Sequence, residues 1–179
     1  MDITIVLPTF NERDNIAPLI ERGLAALAGY EAEMVVVDDD SPDGTWQVVA
    51  ALAERDPRVR LIHRTEERGL TSAIAAGLAA ARGKWVGWMD CDLSMPPEDL
   101  PCLAAALAAG ADIVAGSRYL PGGRDAGHAA VEKERRGRQR AVFDERSFPL
   151  DEELGYQMDA RFGCCHKVSS FHIGSLMVQ

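Results

Sequence analysis

Two acidic residues two positions apart, Asp90 and Asp92, follow the apolar run Trp85 to Met89. Carboxylates at that spacing beyond a buried strand can point the same way, and they repel one another unless a cation lies between them. Mg²⁺ or Mn²⁺ suits them, because a hard ion takes oxygen ligands and completes its shell with water and phosphate oxygens. A D-x-D triplet alone is more often a solvated turn than a metal site, so its weight depends on its company. That company is a second acidic cluster, Asp38-Asp39-Asp40, after the run that starts at Met34. The turn Ser41-Pro42-Asp43-Gly44 then leads into a helical pattern. A carboxylate there can accept from a ribose hydroxyl or a base N–H. Asp43 suits a helix cap better, which leaves Asp38 and Asp39 as the binding candidates. Pro8-Thr9-Phe10-Asn11-Glu12 closes the first apolar run and Gly116-Ser117-Arg118-Tyr119 the last. Arg118 is the strand-end cation of this set, and its guanidinium fork suits phosphate oxygens, although an ordinary surface ion pair is the plainer role.

These loops need a scaffold that delivers them to one edge. Short β-branched runs at Ile3–Leu7, Met34–Asp38, Val59–His63, Trp85–Met89 and Asp112–Ala115 alternate with helical segments. The helices are expected over about Glu12–Leu27, Thr45–Glu54, Leu70–Ala81 and Glu98–Ala108, with Asn11 or Asp14 capping the first and Asp43 or Thr45 the second. Nearly continuous apolar strands separated by helices predict an α/β domain with a mainly parallel sheet covered on both faces. Ligands of such a sheet bind beyond the carboxyl ends of the strands, where the acids stand.

The 179 residues are 47% hydrophobic and 26% charged, enough for one folded domain with a proper core. The net charge of −9 speaks against nucleic-acid binding. All of that excess belongs to residues 1–128, with 11 basic against 20 acidic side chains, whereas residues 129–179 are neutral overall. Dinucleotide and ATP loops lose support, for neither G-x-G-x-x-G nor G-K-[ST] occurs. The four cysteines form no C-x-x-C pair, which favours a reducing, cytoplasmic setting, with Cys91 and Cys102 as small apolar fillers. The histidines have no paired ligand spacing, and Cys164-Cys165-His166 is poorly arranged for zinc. The run Ala73–Ala81 is far short of the roughly 20 residues a spanning helix needs, so any membrane contact is expected to be peripheral.

Five blocks then carry a resemblance: Leu7 to Glu12, Val37 to Thr45, Arg68 to Ala73, Met89 to Glu98 and Gly116 to Tyr119. In this order and spacing they resemble the dolichyl-phosphate (polyprenyl-phosphate) mannosyltransferases of the family-2 glycosyltransferases, over residues 1 to about 124. The resemblance implies a Rossmann-like, A-type glycosyltransferase fold. It implies that Pro8, Phe10, Glu12, Asp38 and Asp39 hold a nucleotide sugar, that Asp90 and Asp92 hold the metal with Ser94 as a weaker third ligand, and that Arg118 contacts phosphate. GDP-mannose is the favoured donor, with UDP-glucose open, and polyprenyl phosphate is the acceptor. Asp92 and Arg118 would carry an inverting transfer, helped by Mg²⁺ or Mn²⁺. A transferase to a sugar hydroxyl, or a binding module without turnover, are the alternatives.

Past Gly122-Gly123-Arg124 the pattern departs from that family. An apolar amphipathic region and an Asp-x-x-Ser-Gly-Phe block are expected there, and a charged run, Glu132 to Arg146, stands instead. The chain is accordingly divided into a nucleotide-sugar-binding domain, residues 1–128, and an atypical segment, residues 129–179, which reads as a truncation or a disordered tail.

Overall fold

The computed structural model describes residues 1–116 and the backbone of residues 176–178. Its elements run β1 (Ile3–Thr9), α1 (Arg13–Ala26), β2 (Ala32–Asp38), α2 (Thr45–Ala53), β3 (Val59–His63), α3 (Leu70–Ala80), β4 (Trp85–Trp88), α4 (Leu100–Ala108), β5 (Ile113–Ala115) and β6 (Leu176–Val178). A 3₁₀ turn, Pro97–Asp99, leads into α4, since two prolines suit a first turn and not a helix interior. All five expected strands and four expected helices are present, with ends displaced by one or two residues.

The sheet order is β3-β2-β1-β4-β6-β5. Strands β1 to β4 pair in parallel, and β6 pairs antiparallel with both β4 and β5. The strand β6 was not expected, because Leu-Met-Val is too short to show a period. Every residue of β1 and β2 is buried, as the central strands of a doubly covered sheet must be.

Alternation along the strands sorts the core into two layers. Ile3, Ile5, Leu7, Met34 and Val36 share one cluster with Ile16, Leu19 and Ile20 of α1, Val49 of α2 and Leu103 and Leu107 of α4. Val6, Val35 and Val37 face the other way, against Ala73 of α3. Helix α3 lies tight on that face because Gly77 has no side chain: a Cβ there would run into Val6 and stand 3.2 Å from Cγ2 of Val37. Under the far end of α3, the buried Glu33 carboxylate accepts from the Thr4 hydroxyl at 2.8 Å, from the Arg82 amide at 3.1 Å and from Arg60 at 3.2 Å. A buried charge held this fully by donors is tolerated.

The chain steps outward from β1 through β2 to β3 and then returns to place β4 on the opposite side of β1. A crevice therefore opens beyond the carboxyl ends of β1 and β4, where the order reverses. Neither the boundary near residue 128 nor the tail can be placed, since both lie outside the described residues apart from β6.

Candidate functional site

Three loops leave the carboxyl edge around this crevice, after β1, β2 and β4. Each contains a non-glycine residue in the left-handed region: Asn11 (φ 60°), Asp40 (φ 58°) and Leu93 (φ 60°). Asn and Asp tolerate that backbone, but a leucine adopts it only where its surroundings impose it, and such strain gathers at ligand sites.

The first two loops are tied to one another. Asp38, fully buried, accepts from the Thr9 hydroxyl at 3.0 Å, the Ser41 amide at 2.9 Å and the Ser41 hydroxyl at 2.6 Å. Asp38, a candidate for holding the nucleotide, thus also organises the loop through bonds to both of its oxygens. At the helix starts Asp43 accepts from the Thr45 hydroxyl at 2.6 Å, the Thr45 amide at 2.9 Å and the Arg13 amide at 3.1 Å, and against the opposing effect of desolvation these bonds, the hydroxyl first, hold its carboxyl below the usual carboxylate range. The N-cap positions themselves are Glu12 and Gly44, not Asn11, Asp14, Asp43 or Thr45, so Asp43 acts from one residue ahead of the cap.

Asp39 is placed differently. It is 6% exposed and lines a cavity of about 330 Å³ together with Pro8, Phe10, Arg68, Gly69 and Leu70. One of its oxygens accepts from Arg64 Nε at 2.7 Å and the other from the Gly69 amide at 2.7 Å. Phe10 stands 50% exposed at the rim, with the Arg68 guanidinium 6.0 Å from its ring centroid. An apolar slot with an aromatic wall, a cation and a carboxylate suits a flat heterocycle carrying N–H donors.

The acid pair lies in the third loop. Asp90 is half-buried, and its carboxyl is pushed up to about 6, first by burial and then by the charges of Asp92 and Glu12. The charges of Asp92 and Glu12 thus reach Asp90, and a divalent ion bound through hard oxygen donors would offset that negative potential. Asp92 is exposed, and its Oδ1 accepts the Ser94 amide at 2.9 Å, which shapes the turn. Ser94 thereby enters the site through its backbone. Among the described residues no group of three or more His, Cys, Asp or Glu could by itself hold a metal ion, so an ion here would need water and ligand oxygens as well. Cys91, between the two acids, is buried with its thiol raised by that burial, and it donates to the Pro8 carbonyl at 3.4 Å. Arg118 lies outside the described residues.

Two cations escaped the sequence reading. Arg64 directly follows β3, so by its place in the sequence it is a strand-end cation as Arg118 is. Arg68 begins the Arg-Gly-Leu block, and its nearness to Phe10 had no local signal. His63, at the end of β3, stacks on Trp46 with centroids 4.5 Å apart and lies 3.0 Å from Asp40.

Comparison with known proteins places this geometry in context. The family model described as glycosyl transferase family 2 matches residues 4–167. A dolichol-phosphate mannosyltransferase from Pyrococcus furiosus is 46% identical over 124 residues, covering 69% of this chain and 35% of that protein. One from Saccharomyces cerevisiae is 39% identical over 125 residues, covering 68% and 46%. The chain thus spans less than half the length of these relatives. Glucosyl-3-phosphoglycerate synthase from Mycobacterium tuberculosis, in complex with Mn²⁺, UDP-glucose and phosphoglyceric acid, is 25% identical with a TM-score of 0.52 over 64% of this chain and 42% of that one. In its UDP complex the likeness is one of fold alone, at 20% identity and a TM-score of 0.60 over 99% and 56%.

Proposed function

Because the chain belongs to glycosyl transferase family 2, we propose that it moves a hexose, mannose from GDP-mannose in the first place, onto a polyprenyl phosphate with inversion at the anomeric carbon. The observation that carries this reading is that Cys91, between Asp90 and Asp92, donates at 3.4 Å to the carbonyl of Pro8, which lines the Phe10–Asp39 cavity, so the acid pair follows β4 next to that cavity where the strand order reverses. In this reading the base lies against Phe10 and Pro8 with Asp39 reading its N–H groups, and the diphosphate extends toward the acid pair. Asp90 and Asp92 would hold Mg²⁺ or Mn²⁺, with Ser94 beside them; that ion supplies neutralisation of the departing diphosphate. Arg118 adds a guanidinium to the same oxygens.

The chain's own part is positioning and charge. The cavity fixes the base, Glu12 and the acid pair set the charge of the crevice, and Phe10 and Leu70 give the cavity an apolar residue on each of its two walls. A phosphate-monoester acceptor has a second pKa near 6 and attacks largely ionised, so no strong general base is required of the protein. The lipid-linked acceptor implies work at a membrane surface, on its cytoplasmic face, through peripheral contact. Among the described residues no helix is long and apolar enough to cross a membrane.

A transfer assay tests this reading. Radiolabelled GDP-mannose or UDP-glucose is incubated with a short-chain polyprenyl phosphate and Mn²⁺. Label extracted into the organic phase, greater from GDP-mannose, is the expected result. Label moving instead to a soluble hydroxyl acceptor, or donor binding without transfer, would replace the proposal.

A further inference from the structure

We infer that Arg64 is a positioning residue which sets the width of the nucleotide cavity by locking Asp39 to the loop ahead of α3; this rests on the nucleotide reading of that cavity. The guanidinium is nearly buried, with 9% of its side chain exposed, and its fork is fully used. Nε donates to Asp39 Oδ1 at 2.7 Å, Nη1 to the Ser72 hydroxyl at 3.0 Å, and Nη2 to the Gly69 carbonyl at 3.2 Å as well as pairing with Asp39. The backbone of Arg64 is fixed too, since its amide donates to the Asp38 carbonyl at 2.8 Å. Gly69 closes the ring: with φ at +132° its amide reaches Asp39 Oδ2 at 2.7 Å, a direction a side-chain-bearing residue rarely allows.

The two walls of the cavity come from different parts of the chain. Pro8 and Phe10 belong to the end of β1, whereas Arg68, Gly69 and Leu70 belong to the loop that Arg64 ties down. Asp39 stands between them, with both oxygens held and one lone pair of Oδ2 left for a ligand N–H. A lysine at position 64 keeps one charge near Asp39 but cannot reach three partners in a plane. The effect of losing the fork should fall on the base and spare the diphosphate, because the acid pair lies in another loop.

The experiment is calorimetry on the full chain with Mn²⁺, titrating GDP, UDP and inorganic diphosphate into wild type and Arg64→Lys, with melting temperature recorded alongside. The expected result is a tenfold or greater loss of affinity for the preferred nucleotide with diphosphate affinity unchanged. Nucleotide affinity within twofold of wild type would overturn the inference, as would an equal loss for nucleotide and diphosphate. Should Arg64→Lys fail to fold, Ser72→Ala, which removes the Nη1 partner together with the hydroxyl's own 3.1 Å bond to the Gly69 carbonyl, should still weaken nucleotide about threefold and leave diphosphate untouched; no selective loss would overturn it. A wild-type chain that binds diphosphate but neither nucleotide refutes the nucleotide reading and this inference with it.

Discussion

The hydroxyl of Ser41 donates to Asp38 at 2.6 Å and accepts the Asn11 amide at 3.0 Å, so one small side chain joins the ends of β1 and β2. Asp38 is fully buried and Ser41 2% exposed, so water does not readily replace the bond between them. Removing a partner from a buried acceptor or donor costs about 1–3 kcal/mol. Ser41→Ala should therefore lower unfolding free energy by about that amount in a urea titration, and weaken nucleotide binding through the displaced Asn11 loop. An unchanged midpoint would mean the two loops are held by something else.

Gly77 and Gly29 offer a matched pair for packing. A Cβ at Gly77 meets Val6 beneath α3, whereas one at Gly29 has nothing within 4 Å. Overpacking of this kind costs typically 1–3 kcal/mol, so Gly77→Ala should lower the melting temperature by several degrees. Gly29→Ala should leave it nearly unchanged. Thermal melts followed by circular dichroism compare the two directly.

The raised carboxyl of Asp90 sets a pH dependence. Its ordinary value is 3.8 and its folded value about 6, so the folded chain holds the proton more tightly and ionisation opposes folding. The penalty is absent below about 3.8, grows as pH rises through 6, and is complete above. Asp90→Asn should therefore stabilise the metal-free protein at pH 7.5 by on the order of 1–2 kcal/mol after screening, with the gain vanishing near pH 4. Asp99, raised to about 6 by its own burial, is common to both proteins and cancels in the difference. A gain that persists at pH 4 would show that packing, not charge, separates the variants.

Much of this arrangement was legible in the residues. The buried runs around Ile5 and Val36 and the Ala- and Leu-rich helices between them dictate the parallel sheet, and the sheet dictates where the acids gather. What could not be read was which acid faces inward. Asp38, Asp39 and Asp43 are alike in type and adjacent in sequence; only the donors that Thr9, Ser41, Arg64 and Thr45 bring from other elements give them separate tasks. Arg64 follows a strand as Arg118 does and was within reach of the same rule. The strand β6 was not, because it pairs across more than 60 residues of sequence with partners no local pattern announces.

If Asp90 and Asp92 hold a divalent ion against the donor diphosphate, donor binding must depend on that ion. GDP-mannose is titrated calorimetrically into wild type and Asp92→Ala, each with Mn²⁺ and again with EDTA. Wild type should bind with Mn²⁺ and lose at least tenfold in affinity with EDTA, while Asp92→Ala should bind weakly in both. Equal affinity of the wild-type chain with Mn²⁺ and with EDTA would contradict that dependence.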